Sequence, residues 1–173
     1  VHLSVAYLER AGKIEMVVTQ NIDGLHAAAG TSREHLIELH GTNAEVDCQT
    51  CGLREDPESP FEYFKANRTT PLCECGGYLK SATISFGQNL REGDLNRAME
   101  SAGMADLVVA LGSTLSVYPA ASIPLLATDR GIPYVIVNQG VTEHDQHPGV
   151  SLRIEGDVGQ VFPRCVDEAI RES

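Results

Sequence analysis

The sequence predicts an α/β fold with a doubly wound, mainly parallel sheet and a small cysteine-rich insertion. Two observations predict the sheet: short segments that are apolar throughout, such as residues 107–111 and 134–137, and amphipathic helical segments that alternate with them. The insertion is predicted because two close pairs of cysteines interrupt this alternation. We therefore expect one domain, formed by residues 1–47 and 78–173, that carries a module at residues 48–77.

The composition is that of a globular protein and excludes several functional classes. Hydrophobic residues make up 42% and charged residues 21% of the 173-residue chain. No apolar run approaches the ~20 residues that cross a bilayer, so we expect no membrane partner. The net charge of -11 opposes binding to nucleic acid, which requires a basic surface. It is compatible with a cationic peptide partner, and equally with ordinary acidic solubility.

In the N-terminal part, hydrophobic spacing predicts a helix, a buried strand and a second helical stretch. Apolar residues recur at helical spacing from Val1 to Leu8, and Gly12 is placed to end that helix. The run at residues 15–20 is typical of a buried strand that enters a polar loop. A later helix-like stretch ends near Glu38.

After the cysteine pairs, three helix candidates accompany three strands. The helix candidates are residues 95–102, 119–127 and 158–170, and the strands are residues 107–111, 134–137 and 152–154. Pro119 suits the first turn of its helix. Pro163 has to lie in or near the first turn of the last helix, or kink it. Cys165 falls on the apolar stripe of that helix, so we expect it in the core.

The four paired cysteines predict a structural metal site. Cys48-x2-Cys51 is followed, after 21 intervening residues, by Cys73-x-Cys75. Four thiolates in two close pairs can complete the tetrahedral shell of zinc, which leaves no open position for catalysis. The alternative is four unrelated buried thiols. Because no secretory signal segment opens the chain, the pairs favour metal ligation over disulfides and indicate a cytoplasmic location.

Polar residues follow the first strand, at the edge where doubly wound sheets bind their ligands. Gln20, Asn21 and Asp23 could hydrogen-bond sugar hydroxyls and a carboxamide. A polar turn in which Asn21 or Asp23 caps the next helix explains the same residues equally well. The residue types and their spacing alone leave both interpretations open.

Three further positions are candidates for chemistry. His40, in an LHG tripeptide, can act as a base near neutral pH, although a single histidine serves more often as a hydrogen-bonded structural residue. The glycine and hydroxyl residues at 112–119, between a strand and a helix, suit a phosphate but lack a full Gly-x-Gly-x-x-Gly pattern. Asn138 follows the strand at 134–137, again at the ligand-binding edge.

Together and in this order, these clusters resemble the sirtuin family of NAD-dependent protein-lysine deacylases. The matching stretches are TQNIDGLH (19–26), LHG (39–41), the cysteine pairs, ISFGQ (84–88), GSTLSVYPAA (112–121) and IVN (136–138). The similarity covers essentially the whole chain. It implies a Rossmann-like sheet, NAD as co-substrate, structural zinc, and an acyl-lysine protein or peptide as the partner.

The resemblance also implies a role for each matching residue. His40 would be the general base that acts on the ribose hydroxyls, with Asn21 and Asp23 beside the nicotinamide and its ribose. The implied contacts to NAD are Gln20, Asn21, Ile22, Asp23, Gly112, Ser113, Asn138 and Val158. The implied walls, where the substrate backbone pairs as a strand, are Phe86 and Gly87 with Val117 and Tyr118 opposite.

The reaction that the resemblance implies is transfer of the acyl group from lysine to the ADP-ribose part of NAD. The acyl oxygen attacks the anomeric carbon as nicotinamide leaves, and His40 then helps a ribose hydroxyl attack the resulting imidate. Water finally gives free lysine and O-acyl-ADP-ribose. Mono-ADP-ribosyl transfer is the alternative on the same fold, and a non-catalytic, zinc-stabilised peptide-binding module is the alternative from another class. A dehydrogenase-type nucleotide domain would leave the four cysteines unexplained.

The sequence departs from the family pattern in two respects. On the substrate side, Gln88 stands where many members have glutamate, and residues 80–82 (KSA) replace a more usual Arg-Pro-Asp. In addition, no stretch matches the family's N-terminal Gly-Ala-Gly-x-Ser loop, which normally grips the NAD pyrophosphate. We therefore expect an N-terminally truncated chain with an incomplete sheet. Such a chain would bind NAD poorly and turn over little, unlike the full-length protein.

Overall fold

The computed structural model describes residues Val1 to Arg171, which form two compact units. Unit 1 contains Val1–Val18, His26–Ile37 and the chain from Glu92 onward. Unit 2 contains Thr19–Leu25 and Glu38–Arg91. The module predicted at residues 48–77 lies inside unit 2, and its exact boundaries stay a prediction.

Helices and strands are found in both units. The helices of the described residues are α1 (His2–Arg10), α2 (Leu25–Ala28), α3 (Glu58–Asn67), α4 (Glu92–Met104), α5 (Ile123–Thr128) and α6 (Val158–Arg171). The strands are β1 (Val17–Thr19), β2 (Leu36–Glu38), β3 (Gly41–Cys48), β4 (Arg54–Glu55), β5 (Leu79–Thr83), β6 (Val108–Leu111), β7 (Tyr134–Asn138) and β8 (Val150–Glu155). Short 3-10 turns lie at Arg33–His35 and Ala120–Ser122. No helix in this part of the chain is long and apolar enough to span a bilayer.

A three-stranded parallel sheet, in the order β6-β7-β8, lies at the centre of unit 1. Ala110 of β6 faces Ile136 of β7, which in turn faces Arg153 of β8. Helix α4 precedes β6, α5 connects β6 to β7, and α6 follows β8. The predicted combination of parallel apolar strands with helices is therefore confirmed.

Helices cover both faces of this parallel sheet. Successive residues of a strand point to opposite faces. In β6, Val108 and Ala110 pack in a cluster with Leu125 of α5, whereas Leu111 packs in a cluster with Phe162 of α6. The sheet is therefore doubly wound, as the sequence predicts.

Helix α6 packs through an apolar face that the sequence locates well, with one error. Phe162 and Val166 are buried against Val5 of α1. Pro163 lies inside the helix, in its second turn. The expectation that Cys165 lies in the core is wrong, because its side chain is exposed. It lies at the border of the stripe, whose centre is occupied by the two larger buried side chains.

Unit 2 contains an antiparallel sheet, in the order β4-β3-β5, which the sequence pattern does not reveal. The buried cluster on this sheet consists of Val46, Cys48, Cys73 and Leu79. Helix α3 lies between the cysteine pairs, where prolines obscure the helical pattern and the sequence predicts no helix. Pro57 and Pro60 occupy the start of α3, where a missing N–H costs nothing.

Two of the predicted helices differ from the observed structure. The helix-like stretch before Glu38 is a 3-10 turn followed by strand β2, whose backbone pairs with β1 instead of closing a helical turn. The helix predicted at residues 119–127 is a 3-10 turn followed by the short helix α5. Pro124 lies in the first turn of α5 and has no N–H with which to continue the preceding turn.

Candidate active site and zinc site

Backbone hydrogen bonds attach the polar loop after β1 to the segment around His40, within unit 2. The Leu39 N–H donates to the Thr19 carbonyl at 2.9 Å, and the Asn43 N–H donates to the Ile22 carbonyl at 2.8 Å. In one segment the two bonded residues lie on either side of His40, and in the other they lie on either side of residues 20–21 of the loop. The structure thus brings together two clusters that lie about twenty positions apart in the sequence.

The hydrogen bond of His40 fixes the position of its ring proton. Nδ1 lies 3.1 Å from the carbonyl oxygen of Gln20. Because a carbonyl oxygen only accepts hydrogen bonds, Nδ1 carries the proton, and the neutral ring keeps its lone pair at Nε2. A ring held in this way can accept a proton through Nε2, which is what a general base has to do.

The backbone conformation at residue 41 and its close approach to Ala82 explain why a glycine follows His40. The φ of Gly41 is +74°, and a Cβ at this position would overlap the carbonyl of Ala82. The missing side chain lets β3 approach β5, where Gly41 faces Thr83. The Ile84 N–H also donates to the His40 carbonyl at 2.8 Å. The backbone on both sides of the histidine is therefore fixed by hydrogen bonds.

Asn21 and Asp23 are both exposed on the loop, but their side chains differ in what they contact. Asp23 Oδ1 accepts the Leu25 N–H at 3.0 Å, at the start of α2. The capping role that the sequence left open is therefore present, although a carboxylate retains further lone pairs for a ligand. The carboxamide of Asn21 has no hydrogen-bond partner among the described residues and can meet a ligand with both its donor and its acceptor.

In unit 1, Gly112 and Ser113 follow the carboxyl end of β6. Gly112 has a φ of +60°, and a Cβ there would meet Val158 Cγ2 at 3.5 Å, at the start of α6. Ser113 Oγ accepts the Leu115 N–H at 3.1 Å. These residues therefore lie together at the edge of the parallel sheet where ligands bind in doubly wound folds.

Leu115 has an unusual backbone conformation that its residue type does not indicate. Its φ of 56° lies in the left-handed region, which costs a residue other than glycine roughly 1–2 kcal/mol. The side chain is nevertheless buried with Tyr134 and Ile136, and this burial offsets the backbone strain. Strained backbone that packing holds in place is typical of functional turns.

Asn138 ends β7 at the same edge of the parallel sheet and is buried. Its Nδ2 donates to the carbonyls of Gln139 at 3.2 Å and Gly140 at 3.0 Å. The remaining Oδ1 is an acceptor suited to a ligand donor such as a sugar hydroxyl. Arg153 donates to the Asn138 carbonyl at 3.0 Å, a contact that no sequence motif indicates.

Three of the four residues predicted to contact the substrate expose large apolar side chains. Phe86 is 101% exposed in unit 2, and in unit 1 Val117 and Tyr118 are 40% and 56% exposed. In the turn that carries Phe86, Gln88 Oε1 accepts the Ser85 N–H at 2.7 Å. Gln88 therefore shapes the turn through its own side chain.

The sulfurs of the four paired cysteines come together in unit 2, within 4.8 Å of one another. The separation is 3.5 Å between Cys48 and Cys75, and 3.8 Å between Cys51 and Cys73. Zinc with Zn–S bonds of ~2.3 Å would place tetrahedral sulfurs roughly 3.8 Å apart. The cluster therefore fits a closed structural zinc site, to which the short Cys73-x-Cys75 pair can contribute two ligands.

Backbone groups around Cys48 favour the thiolate that zinc requires. The N–H groups of Cys51 and Thr50 donate to its sulfur at 3.5 and 3.4 Å. These bonds lower the pKa of the Cys48 thiol to about 6. The chain can close over the sulfur only because residue 77 is glycine, since a Cβ on Gly77 would lie 2.6 Å from Cys48 Sγ.

Comparison with known proteins finds similarity along the whole chain. Residues 1–119 match the model of the Sir2 family. Over 167 residues, the chain is 40% identical to an NAD-dependent protein deacetylase of Haloarcula marismortui, which covers 96% of this chain and 63% of that protein. The chain thus spans less than two thirds of the length of that relative.

Solved structures give the same result at the level of the fold. The complex described as "Sir2-p53 peptide-NAD+" has a TM-score of 0.88 and 38% identity, over 99% of this chain and 70% of that chain. The complex described as "Structure of Sir2Tm bound to a propionylated peptide" also has a TM-score of 0.88 and 38% identity, with the same coverage. The peptides and the NAD belong to those structures.

Proposed function

Because the chain belongs to the Sir2 family, we propose that the protein removes acetyl and related acyl groups from protein lysines, with NAD as co-substrate. The products would be nicotinamide, free lysine and O-acyl-ADP-ribose. The observation that carries this proposal is the tautomer of His40, whose bond to the Gln20 carbonyl leaves Nε2 able to accept a proton. A non-catalytic peptide-binding module would need no such base.

The residues of unit 2 supply the base and the groups around the nicotinamide. When bound as co-substrate, NAD would supply the anomeric carbon that the acyl oxygen attacks as nicotinamide leaves. His40 Nε2 accepts the proton of a ribose hydroxyl, so that the hydroxyl oxygen can attack the acyl carbon. The Asn21 carboxamide suits the nicotinamide carboxamide, and the Asp23 carboxylate suits a ribose hydroxyl. Gln20 and Ile22, on either side of Asn21, would complete these contacts.

The residues of unit 1 would bind the ADP-ribose part of NAD. Gly112 allows the backbone to approach the ligand because it carries no side chain. Ser113 and Asn138 offer a hydroxyl and a carboxamide oxygen to the sugar and phosphate groups. Val158, which begins α6, would pack against the same part of NAD.

Each of the two segments predicted to contact the substrate suits an acyl-lysine peptide in extended form. The Phe86–Gly87 turn combines a glycine with an exposed aromatic residue, and the Val117–Tyr118 segment exposes two large apolar residues. This combination suits addition of a peptide as a strand, in which main-chain bonds give affinity and side chains give specificity.

The zinc site has a structural role in this proposal. Four cysteine ligands leave zinc no open position, so the metal would stabilise unit 2 without touching the substrate. Reduced cysteines that ligate zinc are typical of a reducing compartment, which supports a cytoplasmic location. Cell fractionation that places the protein outside the cytoplasm would contradict this part of the proposal.

Product analysis tests the proposed reaction. The protein, as its gene encodes it in full, is incubated with NAD labelled in the adenine ring and with an acetyl-lysine peptide. We expect labelled O-acetyl-ADP-ribose, free lysine and nicotinamide in equal amounts. Label attached to protein would instead indicate mono-ADP-ribosyl transfer. Peptide binding without consumption of NAD would indicate the non-catalytic module.

A further inference from the structure

Arg153 of β8 fixes the backbone of the turn that follows β7. Its side chain is 19% exposed, and the guanidinium donates to the carbonyls of Asn138 at 3.0 Å and Gly140 at 2.6 Å. A third bond goes to the carbonyl of Ile154. Because the donors of a guanidinium have rigid directions, one side chain sets the positions of two carbonyls, one at the end of β7 and one in the turn.

Asp145 holds the guanidinium and the far end of the same turn. Its Oδ1 accepts from Arg153 Nε at 2.8 Å and from the Thr142 hydroxyl at 2.5 Å, while Oδ2 accepts the Thr142 N–H at 3.1 Å. These bonds, from Thr142 first and then from Arg153, lower the pKa of Asp145 to about 2. The carboxylate is therefore charged at neutral pH.

Glu155 completes the network, which we call the Arg153 clasp (Arg153, Asp145, Thr142 and Glu155). One carboxylate oxygen of Glu155 accepts the Gly140 N–H at 2.8 Å, and the other accepts from Arg153 at 3.0 Å. Both polar groups of the Gly140 backbone are thus bound by the clasp. Gly140 has a φ of +87°, so the turn also depends on a glycine with unusual freedom.

The clasp determines the direction of the Asn138 side chain. Asn138 Nδ2 donates to the Gly140 carbonyl, which is the same oxygen that Arg153 binds. The carboxamide therefore follows the position of that carbonyl, and its Oδ1 takes part in neither of the two Nδ2 bonds. We infer that Arg153 and Asp145 are positioning residues for NAD, which hold Asn138 in the orientation that binds the ADP-ribose part. This inference rests on the proposed function.

Strand pairing alone does not account for the clasp. β7 and β8 are already joined by a parallel ladder that extends to Asn138 and Glu155. A surface turn beyond that ladder does not need three charged groups to keep the strands together. Ordering the turn before the ligand arrives removes an entropy cost that would otherwise reduce affinity, and this is the expected benefit of the clasp.

Substitution of Arg153 tests the inference by separating NAD binding from the other steps. Binding of ADP-ribose is measured by calorimetry, and KM for NAD, KM for an acetyl-lysine peptide and kcat are measured on the full protein. In Arg153→Met we expect the Kd for ADP-ribose and the KM for NAD to rise by about tenfold, the loss expected when a charge-assisted hydrogen bond no longer orders the turn. The peptide KM and kcat should stay near the wild-type values.

Two companion variants make the result specific. Arg153→Lys keeps the charge but lacks the rigid fork, so it should lie between the wild type and Arg153→Met. Arg130→Met is the matched control, because Arg130 is an exposed arginine of unit 1 that also donates to a backbone carbonyl, that of Gly103 at 2.6 Å. This control should leave ADP-ribose affinity unchanged.

The possible outcomes distinguish this inference from the proposed function. Unchanged ADP-ribose affinity in a folded Arg153→Met protein, or an equal loss in Arg130→Met, would overturn the inference alone. Wild-type protein that neither binds ADP-ribose nor consumes NAD would overturn the proposed function, and the inference with it. If Arg153→Met does not fold, Asp145→Asn loses the charge at the same size, and the same loss of affinity is expected there. Unchanged affinity in that variant would also refute the inference.

Discussion

At His40, a single hydrogen bond decides which ring nitrogen can act as a base. Because Nδ1 donates to the Gln20 carbonyl, only Nε2 can accept a proton. We expect His40→Ala to lower kcat for deacylation by about 10²- to 10⁴-fold, the usual contribution of a general base. Circular dichroism should show that the variant keeps its fold.

His35→Ala provides the matched histidine control for that experiment. His35 is hydrogen-bonded to Glu9 at 3.1 Å and belongs to unit 1. Its loss removes an imidazole of similar accessibility without touching the proposed base, so turnover should remain near the wild-type value. Turnover retained in His40→Ala would show that another group is the base.

His144 is a second histidine whose environment has a measurable consequence. Its Nδ1 lies 3.1 Å from the Tyr134 hydroxyl, and its buried Nε2 has no hydrogen-bond partner among the described residues. Burial lowers the pKa of His144, and the neighbouring His147 lowers it further, whereas Glu143 opposes both. Asp145, adjacent in sequence, is held as an anion by Thr142 and so stays charged throughout the range in which histidine titrates.

The lowered pKa of His144 predicts a loss of stability on acidification. The unfolded chain takes up the proton near the ordinary histidine pKa of ~6.5, while the folded chain resists it until lower pH. The free energy of unfolding should therefore decrease as the pH falls below ~6.5. Urea titrations at a series of pH values would measure this, and His144→Gln should show a shallower decrease between neutral pH and pH ~5.5. Equal slopes in both proteins would contradict the prediction.

At the scale of the element, the cysteine-rich segment depends on one close approach of backbone to sulfur. In Gly77→Ala the new Cβ would lie 2.6 Å from both Cys48 Sγ and Thr50 Oγ1. We expect weaker zinc binding and a loss of roughly 1–3 kcal/mol in the free energy of unfolding, because this site has no space for a methyl group. Elemental analysis and thermal melting would measure the two effects.

Gly93→Ala is the control for that substitution. Gly93 lies in the first turn of α4, and a Cβ there meets nothing within 4 Å. The same change in composition should therefore leave zinc content unchanged, and it should stabilise the helix by up to ~1 kcal/mol. Full zinc content and unchanged melting in Gly77→Ala would argue against the close packing around Cys48.

Some elements were predictable from local patterns, and others depended on their partners. All of β6 and the first four residues of β7 are apolar, so their sequences identify both strands. Strand β2 has only three residues and exists because β1 pairs with it, and its sequence alone resembles a helical turn. In α3, prolines at the first turn concealed a ten-residue helix. These errors occur where pairing or proline position outweighs hydrophobic spacing.

At the scale of the whole molecule, motif order predicted more of the candidate site than any local pattern did. The order of the histidine, cysteine and glycine motifs indicated the family, which the comparisons then showed. The Arg153 clasp could not be predicted in this way, because its contacts depend on the pairing of β7 with β8 and on the shape of a turn. The strained φ of Leu115 likewise has no signature in the residue type. The residues proposed to bind ligands could thus be predicted from the sequence, whereas the residues that position them could not.

Under the proposed function, the net charge of -11 of the whole chain predicts how the KM of a peptide depends on salt. A negative protein attracts cationic peptides over distances comparable to the Debye length, ~10 Å at 0.1 M salt. We expect the KM of an acetyl-lysine peptide flanked by lysines to rise as sodium chloride increases. The same peptide flanked by glutamates should show the opposite trend, and a neutral peptide should change little.

Those three peptides separate a role in substrate recognition from ordinary acidic solubility. If the acidic residues serve only solubility, the three KM values should respond to salt alike, because no charge acts on the bound peptide. The cationic side chains of Arg54 and Arg91 lie against Asp47 in unit 2, at 2.7 and 3.2 Å, so these two positive charges are paired within the chain. A preference for the glutamate-flanked peptide at low salt would therefore contradict the prediction, because it would require a cationic surface that the net charge does not supply.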